Sequence, residues 1–309
     1  MRFRIPLHKG LKLSALFVCL ATLAYSQPTD PAEEDLLSLL GSEEEPVLTT
    51  ATFKTTRIIN MHSVEQAAAG VLDFRINHRF GFLNGGPYEF FGLDQALMRL
   101  GFEYGITDRL MVGVGRSNVN KAFDAFGKFK ILRQSTGGKN MPISLSYFTS
   151  IVCNSQKFAD PNAINFFTDR LYYTHQLLIA RKMNNDLSLQ LSPTFVHSNL
   201  VANSSLPNDV YAMGFGGRYK LTQRFAINGE YIYVLPNQLA AGFYNSFSAG
   251  VDIDTGGHIF QLQLTNSTSM VEPGFITQTV GQWKKGGVHF GFNISRVFTV
   301  HTPKKAPTE

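Results

Sequence analysis

The chain has 309 residues, of which 44% are hydrophobic, 12% aromatic and only 17% charged, against roughly 25% charged in an average soluble domain. That composition excludes a disordered chain. An average hydropathy near zero in so aromatic a chain requires fine interleaving of apolar and polar residues, which excludes a helical membrane protein. The net charge of +5 is unevenly divided, and the bases are scattered, so they form no footprint for nucleic acid.

Residues 1–26 carry Arg2, Arg4, Lys9 and Lys12 without an acid, then an apolar run from Leu13 to Leu23, then Ala24-Tyr25-Ser26. This pattern predicts a secretory signal cut before Gln27. Val18 before Cys19 argues against lipid attachment, which wants a small residue there. Residues 27–46 hold seven acids and no base, leaving +8 on 47–309. Asp30-Pro31-Ala32-Glu33 has the spacing of a helix cap, and Leu36, Leu37, Leu39 and Leu40 follow before Gly41. The segment is expected to be an acidic linker or a short helix that docks a periplasmic partner.

Residues 47–70 form a pre-barrel segment. Stretch 51–60 reads as a strand, but a thirteenth strand would break the even count of single-chain bacterial barrels. It is therefore expected to tuck into the lumen as a partial plug, to lie beneath the barrel, or to pair with an unrecognised strand.

From residue 71 to 299 the dominant period is two, that of a strand with unlike faces. Leu72, Phe74, Ile76 and Phe80 oppose Asp73, Arg75, Asn77 and Arg79; Met98, Leu100, Phe102 and Tyr104 oppose Arg99, Gly101 and Glu103. Twelve strands are predicted: 71–80, 96–104, 110–117, 125–134, 143–152, 169–182, 187–199, 210–219, 225–234, 247–254, 258–268 and 288–299. Most are about ten residues long, enough to cross a bilayer as a tilted strand. With one shallow exception early in the chain, long and short connections alternate. The turns Tyr104-Gly-Ile-Thr-Asp-Arg109 and Tyr219-Lys-Leu-Thr-Gln-Arg224 reuse one design. Aromatics near strand ends (Phe80, Tyr104, Tyr147, Phe148, Tyr172, Tyr173, Tyr233, Tyr244 among them) fit membrane-interface girdles. Alternation alone would also suit a secreted β-sandwich. The charged faces and the connection lengths favour an all-β, up-and-down antiparallel transmembrane β-barrel of about 12 strands, within a range of 10–14. Residues 300–309 are a tail.

His62-Ser63-Val64-Glu65, Phe74-Arg-Ile-Asn-His-Arg-Phe-Gly81, Phe90-Phe-Gly-Leu-Asp-Gln-Ala96, Glu103-Tyr-Gly-Ile-Thr-Asp-Arg109 and Val112-Gly-Val-Gly-Arg116 carry a resemblance. The chain resembles an uncharacterised Gram-negative outer-membrane β-barrel family, a domain of unknown function, over about residues 50–300. The resemblance implies the barrel and the cell outer membrane, and no activity.

Candidate lumen-lining residues are Asp73, Arg75, Arg79, Arg99, Glu103, Lys128, Lys130, Glu230, Asp252 and Asp254. Asp252 and Asp254 share a face about 7 Å apart, and a cation between them is one reading of the pair. His62, Ser63 and Glu65 are residue types of a hydrolytic triad, but neighbours on a strand face opposite ways. Cys153 stands alone in the exported chain, no histidine pair has metal-ligand spacing, and no catalytic residue, metal or cofactor is expected. The expected surroundings are membrane lipid, the outer-membrane insertion machinery and a possible periplasmic protein partner, with no nucleic acid. Three functions are carried forward: a narrow or partly plugged channel for small solutes, a non-conducting scaffold, and, least favoured, a membrane-embedded lipid hydrolase.

Overall fold

The structure is a computed structural model that describes residues 46–158, 165–201, 203 and 205–302. The expected signal, the 30–41 helix and the end of the tail lie outside the described residues. Twelve antiparallel strands follow one another round a closed barrel. They are β1 (Val71–Phe82), β2 (Ala96–Gly105), β3 (Leu110–Ser117), β4 (Phe123–Leu132), β5 (Ser144–Cys153) and β6 (Leu171–Lys182). The circuit continues with β7 (Leu187–Ser198), β8 (Asp209–Lys220), β9 (Phe225–Val234), β10 (Phe247–Asp254), β11 (Ile259–Thr265) and β12 (His289–Thr299). β12 pairs with β1, from Thr299 opposite Val71 to His289 opposite Phe82, so no edge is left unpaired.

The alternating pattern decides which residues face the membrane. Leu100, Phe102, Val114, Phe215, Ile227 and Leu262 project outward and are exposed, while Arg99, Glu103, Lys128 and Glu230 between them are buried. In a bilayer that apolar face is covered by lipid. The short turns have a common chemistry. Thr107 Oγ1 accepts from the amides of Arg109 and Leu110, and Thr222 Oγ1 accepts from those of Arg224 and Phe225. Asn184 Oδ1 plays the same part for Asp186 and Leu187.

The early exception in connection length has a structural reason. The β4–β5 connection is long for its side of the barrel because it clasps the incoming chain: Val47 pairs with Thr136 and Leu48 with Ser135. The Thr49 amide then donates to the Gln134 carbonyl. From this rim the chain runs into the barrel and back out, reaching the same rim at Gly70, whose amide donates to Gly105. Gly70 has φ +75°, and a Cβ there would lie 1.9 Å from the His301 carbonyl oxygen. Only glycine fits that crossing.

Several expectations change at this level. Residues 51–60 form no strand; with 61–67 they make an irregular hairpin inside the barrel, closed by Ile58 N donating to Met61 O and Ser63 N to Thr56 O. Phe148 and Tyr172 do not belong to a girdle: Phe148 is fully buried inside, and Tyr172 packs against the buried group of Ala122, Val152 and Val271. The β11–β12 connection is no simple outer loop. It carries a short helix, α1 (Glu272–Thr277), whose Phe275 and Ile276 are fully buried with Met61, Val196, Val210, Ala212, Ile232 and Val234. The interior is therefore not uniformly polar. Apolar wall side chains also point inward where the hairpin covers them, as Met111, Phe126, Phe148 and Leu178 do beside Ala67.

Candidate functional site: the occupied lumen

The hairpin meets inward side chains from almost every part of the wall. Its tip, Ile59 to Met61, presents three consecutive amides to the Glu230 carboxylate at 3.2, 2.9 and 3.0 Å. A run of backbone N–H groups makes such a concave anion cradle. Lys128 sits between the two arms and donates to the carbonyls of Thr56 and Ser63 at 3.2 and 3.0 Å, and to that of Glu65. Arg75 Nη2 donates to Thr56 Oγ1 at 3.0 Å and lies 3.4 Å from Asp73. The Thr56 hydroxyl in turn donates to Glu103, which lies 3.7 Å from Arg57 and 3.9 Å from Arg75. Arg79 donates to the Asn60 side-chain oxygen at 2.8 Å and to Asn293 at 3.0 Å.

The remaining candidates divide. Arg99 is held by both oxygens of Asp124, a pair between two strands of the wall. Asp252 accepts from Gln261 at 2.8 Å and lies 3.9 Å from Arg218. Asp254 pairs with Lys54 of the hairpin, so the two aspartates have separate partners. Lys130 is half-buried and lines a cavity of about 100 Å³ with Glu65 and Arg133. A larger cleft of about 410 Å³ opens beside Phe53, Lys54, Glu65, Asp73, Asp254 and Ser295.

The hairpin also meets the loop that folds in from the other end. Arg57 Nη1 donates to Glu272 Oε1 at 2.9 Å, and His62 Nε2 lies 3.4 Å from the same oxygen. His62 is wedged against the rings of Phe126 and Phe148, at centroid distances of 4.7 and 4.2 Å. Burial, then Arg57, Lys128, Arg99 and Arg75, hold it well below the usual histidine pKa. Ser63 turns away and donates to the Thr55 carbonyl at 2.6 Å, so His62 and Ser63 form no catalytic pair. The reason is hairpin geometry rather than strand parity, since neither residue lies on a strand.

Sequence reasoning missed the readers of the hairpin backbone. Gln190 donates to the His62 carbonyl at 2.7 Å and accepts from the Val64 amide at 2.9 Å. Gln261 and Asn293 donate to the carbonyls of Ile58 and Ile59 at 2.8 and 3.1 Å. The available signal was their position on the polar face of alternating strands. Two glycines on β8 were also missed. A Cβ at Gly214 would lie 2.7 Å from Met61 Cε, and one at Gly216 2.3 Å from Ile58 Cδ1. The wall is hollowed where the hairpin is bulkiest.

A family model described as a membrane bound beta barrel domain, DUF5777, matches residues 53–298. The chain belongs to this family. The match begins inside the hairpin, so the DUF5777 domain includes most of the inserted segment together with the barrel. Membership agrees with the resemblance drawn from the sequence, and a closed membrane barrel of this kind resides in the outer membrane of Gram-negative bacteria. No curated protein matches the chain. Among solved structures, the KdgM porin aligns at a TM-score of 0.44 and 11% identity, covering 75% of this chain and 99% of that one. The NanC porin aligns at 0.46 and 10%, covering 74% and 98%. The COG4313 outer membrane channel from Pseudomonas putida F1 aligns at 0.43 and 14%, covering 76% and 97%.

Proposed function

We propose that this barrel is a small-solute channel of the outer membrane, held closed at rest by the hairpin of residues 51–67. The carrying observation is how the hairpin is held. Glu230, Lys128, Arg75, Arg79 and Gln190 bind it through hydrogen bonds that water can replace. Each such bond is worth only about 0.5–3 kcal/mol net, because water entering the lumen takes over each partner, so a plug bound this way is released bond by bond. Twelve strands also enclose more space than the eight whose own side chains fill the interior. The lumen-lining roles of Asp73, Arg75, Arg79, Arg99, Glu103, Lys128, Lys130, Glu230, Asp252 and Asp254 belong to this reading. So do the insertion machinery and a periplasmic partner for residues 27–46.

The apolar cluster of Met61, Phe275 and Ile276 with Val196 and Ile232 favours a second reading, a permanently sealed scaffold. Conductance in planar bilayers separates the two. Removal of residues 47–69 leaves every barrel strand intact and is expected to raise conductance well above that of the whole chain. A folded, truncated barrel that remains closed would support the scaffold instead. No hydrolase is proposed, because the Ser63 hydroxyl is committed to Thr55.

A further inference from the structure

The wall reads the hairpin chiefly through its backbone. Glu230 takes three successive amides, and Lys128 binds carbonyls on both arms. Gln261 and Asn293 take the carbonyls of Ile58 and Ile59. Gln190 is the most specific reader. Its side-chain amide binds the carbonyl of His62 and the amide of Val64, the two groups that an extended peptide presents on one side across an intervening residue. That is the pairing a neighbouring β-strand would make, reproduced by one side chain. Any buried segment needs its backbone satisfied. Here two internal backbone bonds and the hairpin's own Arg57, Ser63 and Glu65 side chains meet part of that need, and at least five strands of the barrel supply partners for the backbone of residues 56 and 58–65. None of these contacts depends on which side chain the hairpin carries at that position. The glycines at 214 and 216 leave room beside them for bulky residues such as Ile58 and Met61.

We infer that the inner wall is a peptide-binding surface, and that the solute it takes when the hairpin leaves is a short peptide recognised through its backbone amides. This rests on the channel reading and names its solute class. The hairpin then occupies the site as an internal stand-in for that peptide. A sugar offers hydroxyls without the alternating N–H and C=O spacing that Gln190 and Glu230 match.

The test uses the full-length protein carrying Arg57→Ala, which loosens the hairpin without removing it, in a Cys153→Ser background. Labelling of a Ser63→Cys reporter reports whether the hairpin has left the wall. Where it is still seated, Asn60→Ala is added, which removes the hairpin's side-chain contacts to Arg79 and Ser248, and where Arg57→Ala does not fold, Glu272→Gln replaces it. The protein is titrated with a fluorescein-labelled, end-capped tetra-alanine and with a similarly labelled neutral trisaccharide, read by fluorescence anisotropy. The peptide is expected to bind at least about tenfold more tightly than the sugar, and Gln190→Leu to weaken peptide binding by about tenfold without changing the sugar. Equal titration by peptide and sugar, or peptide binding indifferent to Gln190→Leu, overturns the inference. Ion current through the same variant tests the channel separately. Current without peptide preference removes only the peptide assignment, and peptide binding without current removes only the channel.

Discussion

Arg57 and Glu272 join two segments that enter the barrel from opposite ends, and a double-mutant cycle on them measures how firmly the lumen is closed. Arg57 Nη1 is 2.9 Å from Glu272 Oε1, and each side chain is 1% exposed. Removing one partner of a buried pair costs about 3–5 kcal/mol, because the other charge is left in a poor solvent. Arg57→Met also takes its neighbour from Glu103 at 3.7 Å and a donor from the Asn60 carbonyl, which places it at the upper end. Glu272→Leu leaves Arg57 near Glu103, which places it at the lower end. The double variant buries no orphaned charge at this contact and is expected to cost only about 1–2 kcal/mol, giving a coupling of several kcal/mol. The assay is the equilibrium fraction of hairpin accessible to a thiol reagent at Ser63→Cys, with Cys153→Ser throughout. A loss of about 3 kcal/mol raises the open fraction by roughly 150-fold. Single-variant effects that add to within about 0.5 kcal/mol in the double would refute the clasp.

Leu100→Arg, on the lipid face near mid-strand, is expected to cost about 2–4 kcal/mol in folding into vesicles. Gly101→Arg should fail as well, since a Cβ there would already lie 2.6 Å from Arg99 Nη1; normal refolding of either variant contradicts the packing described. His62 has a folded pKa below its unfolded value, so its contribution is present above about 6.5 and is lost as the pH falls below it. Between pH 7.5 and 5.5 the parent should lose up to about 1.4 kcal/mol more than His62→Gln in denaturant unfolding, provided His62 stays neutral in the fold. An identical pH response in the two would show that His62 is not held neutral.

The barrel was legible because its signal is local and repeated. Arg75 and Ile76, or Leu100 and Arg99, declare opposite faces to anyone counting by two, and the outward face stays apolar from strand to strand. The contents of the lumen were not legible, because they depend on meetings between distant parts of the chain. Glu230 and the amides of residues 59–61 are brought together by barrel closure, and nothing near Glu230 announces that its partner is backbone. Phe148 reads as a girdle aromatic by composition, yet its strand parity turns it toward His62. Helix α1, at six residues, is too short to show a helical period.

The clasp at the rim gives the hairpin a direction in which it can be undone. Its Gly70 end runs straight into β1 and cannot move without disturbing the barrel, whereas its other end is fastened by Val47 and Leu48 to a two-residue strip of the β4–β5 connection. Tension applied to the chain ahead of Val47 therefore loads those bridges first, then the Thr50 carbonyl held by Lys182, before reaching the contacts deeper in the barrel. Bonds loaded one after another yield at far lower force than bonds loaded together. The same hairpin pushed from the lumen side bears on all its wall contacts at once. The fastening is thus directional: a pull ahead of Val47 meets one bond at a time, and pressure on the hairpin tip meets all of them together.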